Sequence, residues 1–289
     1  LLNIQGSVSD EQRLGSTGEL NTVWNDDGEG LFNQDWSGVL FGAAAGWQAG
    51  SSSIPQFQNS YGQVFHGDRT GKINQAQIEL MAAQTTLENA GLGSADDYLF
   101  WIDPWSQRGQ EISAKLLPVA HTMRVQAEQA IILIDQAQAA APLRENDALD
   151  AMKLGARRID FLGFKFEAAQ QIADEYNHAY METINPTVKQ DIDWTVFAGI
   201  DEKCDDLRNG YGLTRDLYRK AWLQENRPYW LDNVTARYEL AMQLWIKQKI
   251  RFDQAEHEWY QTKKLPKPED VGLPSMTVVP AGAAAGTKS

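Results

Sequence analysis

The densest cluster of chemically capable side chains is Trp24-Asn25-Asp26-Asp27-Gly28-Glu29-Gly30. It follows a short extended candidate, Leu20 to Trp24, and precedes the small-residue run WSGVLFGAAAGWQ of Trp36 to Gln48. In a βα barrel, residues at the carboxyl end of a strand face the substrate. There an indole such as Trp24 offers an apolar face to a sugar ring. A carboxylate such as Asp26 or Asp27 accepts hydrogen bonds from sugar hydroxyls, which donate readily. The plain alternative for the same residues is a turn with a helix cap, because Asp and Gly suit turns and carboxylates suit helix N-termini. A second cluster, Phe100-Trp101-Ile102-Asp103-Pro104-Trp105, reads as a loop before a long helix. Trp101 and Trp105 could line a glycan groove there, with core packing as the default role of such rings.

Other chemistries lack their residues. An EF-hand register with Gly28 sixth would put Val23 first and Gln34 twelfth, and neither ligates as that loop requires. Gly91-Leu92-Gly93 lacks the third glycine of a dinucleotide loop, and no GxSxG occurs. His66, His121, His178 and His257 are far apart without HExxH spacing. Glu256-His257-Glu258 has no second histidine within reach, so no metal or cofactor is expected. The lone Cys204 precludes an internal disulfide framework and a cysteine-based zinc site. Of three Asp-Glu pairs, Asp174-Glu175 and Asp201-Glu202 fall in helical runs, and Asp10-Glu11 follows a strand candidate.

The elements that must hold these residues fall into three textures. Residues 1–50 read as strand-like, with Leu1 to Val8 and Leu20 to Trp24 extended and Asp10 to Gly18 a polar loop too short for a full crossover helix. Trp36 to Gln48 is apolar nearly all round and predicts a helix buried against a sheet, since small residues let backbones approach closely. In residues 51–70, Phe57, Tyr61 and Phe65 recur every four residues between Pro55 and Gly67, which predicts one short amphipathic helix.

From about residue 72 to 262 the apolar period is helical, as in Ile112, Leu116, Val119, Met123, Ala127, Ala130 and Ile134. Two further stripes run from Met152 to Tyr180 and from Trp230 to Phe252. Pro142 and Pro186 separate long segments, Asn146 is a helix N-cap, and Asn209-Gly210 with Gly212 is expected to break the chain near 210. The product is an antiparallel bundle of about five to seven helices over residues 51–262. The Lys/Pro-rich and then Ala/Gly-rich residues 263–289 read as a flexible tail. The fold class expected is mainly α, a helical bundle preceded by the terminal strands and helix of a (β/α)8 barrel.

Charge narrows the partners. Lys and Arg number 26 against 39 Asp and Glu, a net charge of −13. A nucleic-acid binder needs a basic face to neutralise phosphate, and an anionic membrane surface is disfavoured for the same reason. No apolar run reaches the roughly 18–20 residues that span a bilayer. The chain opens at Leu1 without Met and reads as a fragment or a processed product.

Glu19 to Gln48, ELNTVWNDDGEGLFNQDWSGVLFGAAAGWQ, resembles the last βα unit of a glycoside hydrolase barrel. It is most similar to the family 20 β-N-acetylhexosaminidases, particularly bacterial members with a helical C-terminal extension. The shared elements are a strand ending in Trp-x-acid, a short loop, and a small-residue helix ending in Trp. The resemblance implies that Trp24 and Asp26 line the pocket for a terminal N-acetylhexosamine, with Asp standing where the family usually has Glu. It also implies substrate-assisted retaining hydrolysis, outside the usual two-carboxylate scheme. The substrate's own N-acetyl oxygen attacks the anomeric carbon. One Asp of an Asp-Glu pair orients the acetamido group, and the Glu is the general acid. No Asp-Glu pair here has the family's Gly-rich lead, so no catalytic residue is expected in this chain and the rest of the barrel is expected upstream. A complete barrel takes roughly 250 residues. A periplasmic or secreted location is implied on the same ground. The other readings are a non-enzymatic helical interaction module and a carbohydrate-binding module.

Overall fold

The structure is a computed structural model, and it describes residues 1–24, 28–93, 97–185 and 195–275. It is mainly helical, with no strand among the described residues. Helices α1 (Leu2–Arg13), α2 (Trp36–Trp47) and α3 (Ile54–Tyr61) lead into α4 (Lys72–Asn89) and the short α5 (Asp97–Trp101). Four long helices follow: α6 (Gln107–Ala140), α7 (Asn146–Ile184), α8 (Thr195–Glu225) and α9 (Leu231–Thr262).

The expected strand over Leu1 to Val8 is instead α1, and residues 16–24 carry neither helix nor strand. A short apolar run fits a period of two or of four equally well, and tertiary contacts select the latter. Ile4 approaches Gly38 of α2, while Gln12 donates to the carbonyl of Gln48 (2.8 Å) and accepts from the Gly50 N–H (2.8 Å). Asp10 and Glu11 thus sit on a helix, with Asp10 in an exposed ion pair with Arg13. Helix α2 does carry a close-approach face. A Cβ on Gly42 or Gly46 would meet the Asn21 or Glu19 side chain, and the Asn21 amide donates to the Gly38 carbonyl (3.3 Å). Residues 19–21 therefore lie across the small-residue face, where a strand was expected.

Phe57, Tyr61 and Phe65 pack on one another as their spacing predicts. Helix α3 runs on into one π turn, Gly62–His66, closed by Gly67 at φ +76°. Asp68 then starts α4, accepting from the Thr70 N–H (2.8 Å) and the Ile73 N–H (2.9 Å). These bonds favour its ionised form and hold its pKa below the usual value against the opposing effect of burial.

Helices α4, α6, α7, α8 and α9 pack in sequence order, each on the next. Their antiparallel sense shows in the cross-links Lys72–Gln136, Arg124–Glu167, Lys220–Asp150 and Lys249–Asp205. Tyr176, Tyr211, Tyr238, Trp245 and Phe252 fill the largest core between α7, α8 and α9. Two predicted boundaries move. Glu145, not Asn146, is the N-cap residue of α7, in the left-handed region at φ 49°. Helix α8 passes through Asn209-Gly210 unbroken, because Gly210 admits the Phe161 ring, which would lie 2.1 Å from an added Cβ. The tail expected from 263 is packed as far as Leu273. Leu265, Val271 and Leu273 are buried in the main core, and the Tyr176 hydroxyl donates to the Pro266 carbonyl (3.0 Å). Pro186 and residues 276–289 lie outside the described residues.

Candidate functional site

The loop after Trp24 is fastened to the bundle through a buried carboxylate. Glu29, with its side chain 3% exposed, faces Arg158 of α7 (Oε1, 3.1 Å) and Arg237 of α9 (Oε2, 3.4 Å). The Trp101 indole N–H also donates to Glu29 Oε1 (3.3 Å), and the Tyr218 hydroxyl donates to the Glu29 carbonyl (2.9 Å). Arg158 lies over the Phe100 ring, 4.4 Å from its centroid. Removing a carboxylate from water is costly unless cations and donors replace the water, and this cluster supplies both. A few residues on, the Glu225 carboxylate at the end of α8 accepts from the N–H groups of Phe32 (2.9 Å) and Asn33 (2.8 Å).

A second buried charge sets the position of Trp101. Lys165 of α7 donates to the carbonyls of Leu99 (3.0 Å), Phe100 (2.7 Å) and Ile102 (2.9 Å), which closes the end of α5. Burial pushes its pKa down to about 7, with the nearby Asp103 charge opposing. Trp101 then stacks on Tyr211 and meets Tyr238 edge-on.

Between this loop and the α8–α9 turn is an open cleft of about 570 Å³. Its walls include Gly28, Asn226, Arg227, Tyr229 and Trp230. The Trp230 indole nitrogen would lie 2.8 Å from a Cβ on Gly28, and Gly28 also sits at φ +80°. Both facts restrict that position to glycine.

Of the residues expected at a sugar site, Trp24 is 81% exposed, with its indole N–H donating to Thr22 Oγ1 (3.1 Å). Asp26 and Asp27 lie outside the described residues. Trp101 is half-buried and belongs to the Glu29 cluster rather than to an open groove. Trp105 is buried against Trp245 and Phe252 and donates to the Ala169 carbonyl (3.1 Å). Its edge borders a small cleft of about 310 Å³. The structure brings Trp101, not Trp105, up to the loop that carries Trp24.

Sequence reading missed Glu29, Arg158 and Arg237 as a unit. A signal existed for Arg158. It sits four residues from each of Leu154 and Leu162, both buried, so a cation falls on an apolar helix face and requires an anion. Lys165 stands in the same relation to the buried Phe161 and Ala169. The partner carboxylate, 129 positions away in sequence from Arg158, leaves no local trace. No group of His, Cys, Asp and Glu among the described residues is arranged to hold a metal ion. No helix among them is long and apolar enough to cross a membrane. No family model, curated protein or solved structure matches this chain.

Proposed function

We propose that this chain is the carboxyl-terminal portion of a retaining β-N-acetylhexosaminidase resembling glycoside hydrolase family 20. It would cleave terminal N-acetylhexosamine from glycans once joined to an upstream catalytic barrel. The observation that carries the reading is the presentation of Trp24. A large indole is kept 81% exposed at the start of a loop whose far end, Glu29, is locked to two helices. An exposed aromatic face suits the apolar face of a pyranose.

Helices α1 and α2 flank residues 19–24, which carry neither helix nor strand. Residues 19–21 lie on the Gly42 and Gly46 face of α2, while Leu20 (88% exposed) and Trp47 (93% exposed) face outward. Trp24 and Asp26 would contact the terminal sugar. The Asp-Glu pair that orients the acetamido group and protonates the leaving oxygen would lie upstream. The chain by itself would therefore bind but not turn over.

The test compares this chain with the longer protein on a chromogenic N-acetylglucosaminide. Turnover is expected from the longer protein only, with kcat/KM falling about tenfold or more on Trp24→Ala, equivalent to ~1.4 kcal/mol. An inactive longer protein, or turnover by this chain, overturns the reading. A second reading, a non-enzymatic helical module, draws on Leu240 and Leu244, which stand four residues apart and exposed on α9. It predicts that the longer protein has no glycosidase activity.

A further inference from the structure

We infer that the cleft between Gly28 and the α8–α9 turn is a sugar-binding position, which holds one pyranose of an oligosaccharide. The identity of that glycan rests on the hydrolase reading above; the cleft itself stands on its own geometry.

Two large rings form the cleft's platform. Tyr229 is 82% exposed and Trp230 is 47% exposed, with centroids 6.4 Å apart and planes 42° apart. Trp230, the N-cap residue of α9, sits at φ 71°, ψ −17°, a left-handed conformation that disfavours non-glycine residues. The surrounding structure enforces it. The Asn233 N–H donates to the Trp230 carbonyl (2.9 Å), the Leu231 N–H donates to the Pro228 carbonyl (3.2 Å), and the indole is seated on Gly28. The Trp222 indole N–H donates to the Arg227 carbonyl (2.7 Å), which fixes the turn from beneath.

The platform has a polar rim. Asn226 and Arg227 line the same cleft, and the Asn226 amide donates to the Glu225 carboxylate (3.1 Å). An aromatic face with convergent hydrogen-bonding groups matches a pyranose, which has one apolar face and an equatorial belt of hydroxyls. The volume of about 570 Å³ falls within the roughly 300–1,000 Å³ typical of small-molecule sites. A neutral glycan also suits a chain of net charge −13, whereas a polyanion does not. Gly28, which seats the Trp230 indole, forms the opposite wall of the cleft.

The test titrates N,N′-diacetylchitobiose and tetra-N-acetylchitotetraose into the 289-residue chain and follows tryptophan fluorescence and calorimetric heat. The expected result is saturable binding that is tighter for the tetramer. It should weaken about tenfold or more on Tyr229→Ala, equivalent to ~1.4 kcal/mol. Trp230→Gly should weaken it similarly, since glycine accepts the same backbone conformation. Tyr229 is a solvent-facing ring, so an unchanged melting temperature in Tyr229→Ala separates lost binding from lost folding. No binding by the parent chain, or equal affinity in both variants, overturns the inference. So does binding that follows Trp24→Ala but not Tyr229→Ala. Because binding is read without turnover, cleft binding with an inactive longer protein sinks only the hydrolase reading. An active longer protein whose chain binds equally in all variants sinks only the cleft.

Discussion

Glu29 is the residue on which the proposed site depends. Its carboxylate joins α7 and α9 to a loop that otherwise has little regular structure to hold it. Glu29→Ala removes the anion that Arg158 and Arg237 share, and Arg158 is only 16% exposed at its side chain. Breaking a buried ion pair by removing one partner costs roughly 3–5 kcal/mol. Arg237 is 42% exposed and can rehydrate, which puts the expected loss at the lower end, about 3 kcal/mol, read as a shift in the urea midpoint. Glu29→Gln, which keeps shape and part of the hydrogen bonding, should lose less. Equal stability of Glu29→Ala and the parent chain would show that the cluster does not hold the loop.

At the scale of elements, the α8–α9 pair carries an electrostatic conflict. Asp201 of α8 faces Asp253 of α9, with Lys249 as the nearby cation, Asp205 one turn further along α8 and the buried Cys204 thiol close by. Burial and the Asp253 charge push the Asp201 carboxyl up to about 6, against the lowering effect of Lys249. The folded state then holds this proton more tightly than the unfolded chain. The group's contribution to stability is present at pH values below the unfolded carboxyl pKa and is lost as pH rises through about 6. Asp253→Asn removes the repulsion. It should raise stability at about pH 7.5 by about 1 kcal/mol, discounted for partial exposure, and by less at about pH 5, where Asp201 is already protonated. Differential scanning calorimetry of both proteins at the two pH values reads the difference. A gain independent of pH would assign the effect to something other than this pair.

The same pair shows how an element can be misread. Gly210 looks like a helix breaker, yet α8 runs from Thr195 to Glu225 because that glycine gives the Phe161 ring its place. A glycine needed for close packing and one needed for a turn have the same one-letter signal, and only the facing helix separates them. Helix α1 is a similar case, since the spacing of Ile4 and Val8 permits either period and the contacts with α2 decide.

At the scale of the molecule, the segment after α9 closes the main core. Leu265, Val271 and Leu273 are buried against α7 and α9, and the Gln248 amide donates to the Val271 carbonyl (2.6 Å). A chain ending at Thr262 should lose at least about 4 kcal/mol, three buried aliphatic side chains at ~1.5 kcal/mol or more each, whereas one ending at Ser275 should melt like the parent. Equal melting temperatures for both truncations would make the segment an appendage.

The sequence by itself determined the helical part. Stripes such as Ile112 to Ile134 repeat at steps of three and four over long windows, and period is a local property that survives without knowledge of the partner. Charge balance likewise follows from composition, whatever the fold. Tertiary structure decided what depends on residues distant in the chain. Glu29 finds Arg158 and Arg237, Lys165 finds three carbonyls of α5, Gly210 receives Phe161, and the apparent tail becomes part of the core. In each case the energy comes from burial or from pairing a buried charge. A sequence shows which groups will need a partner, and only the packed chain supplies one.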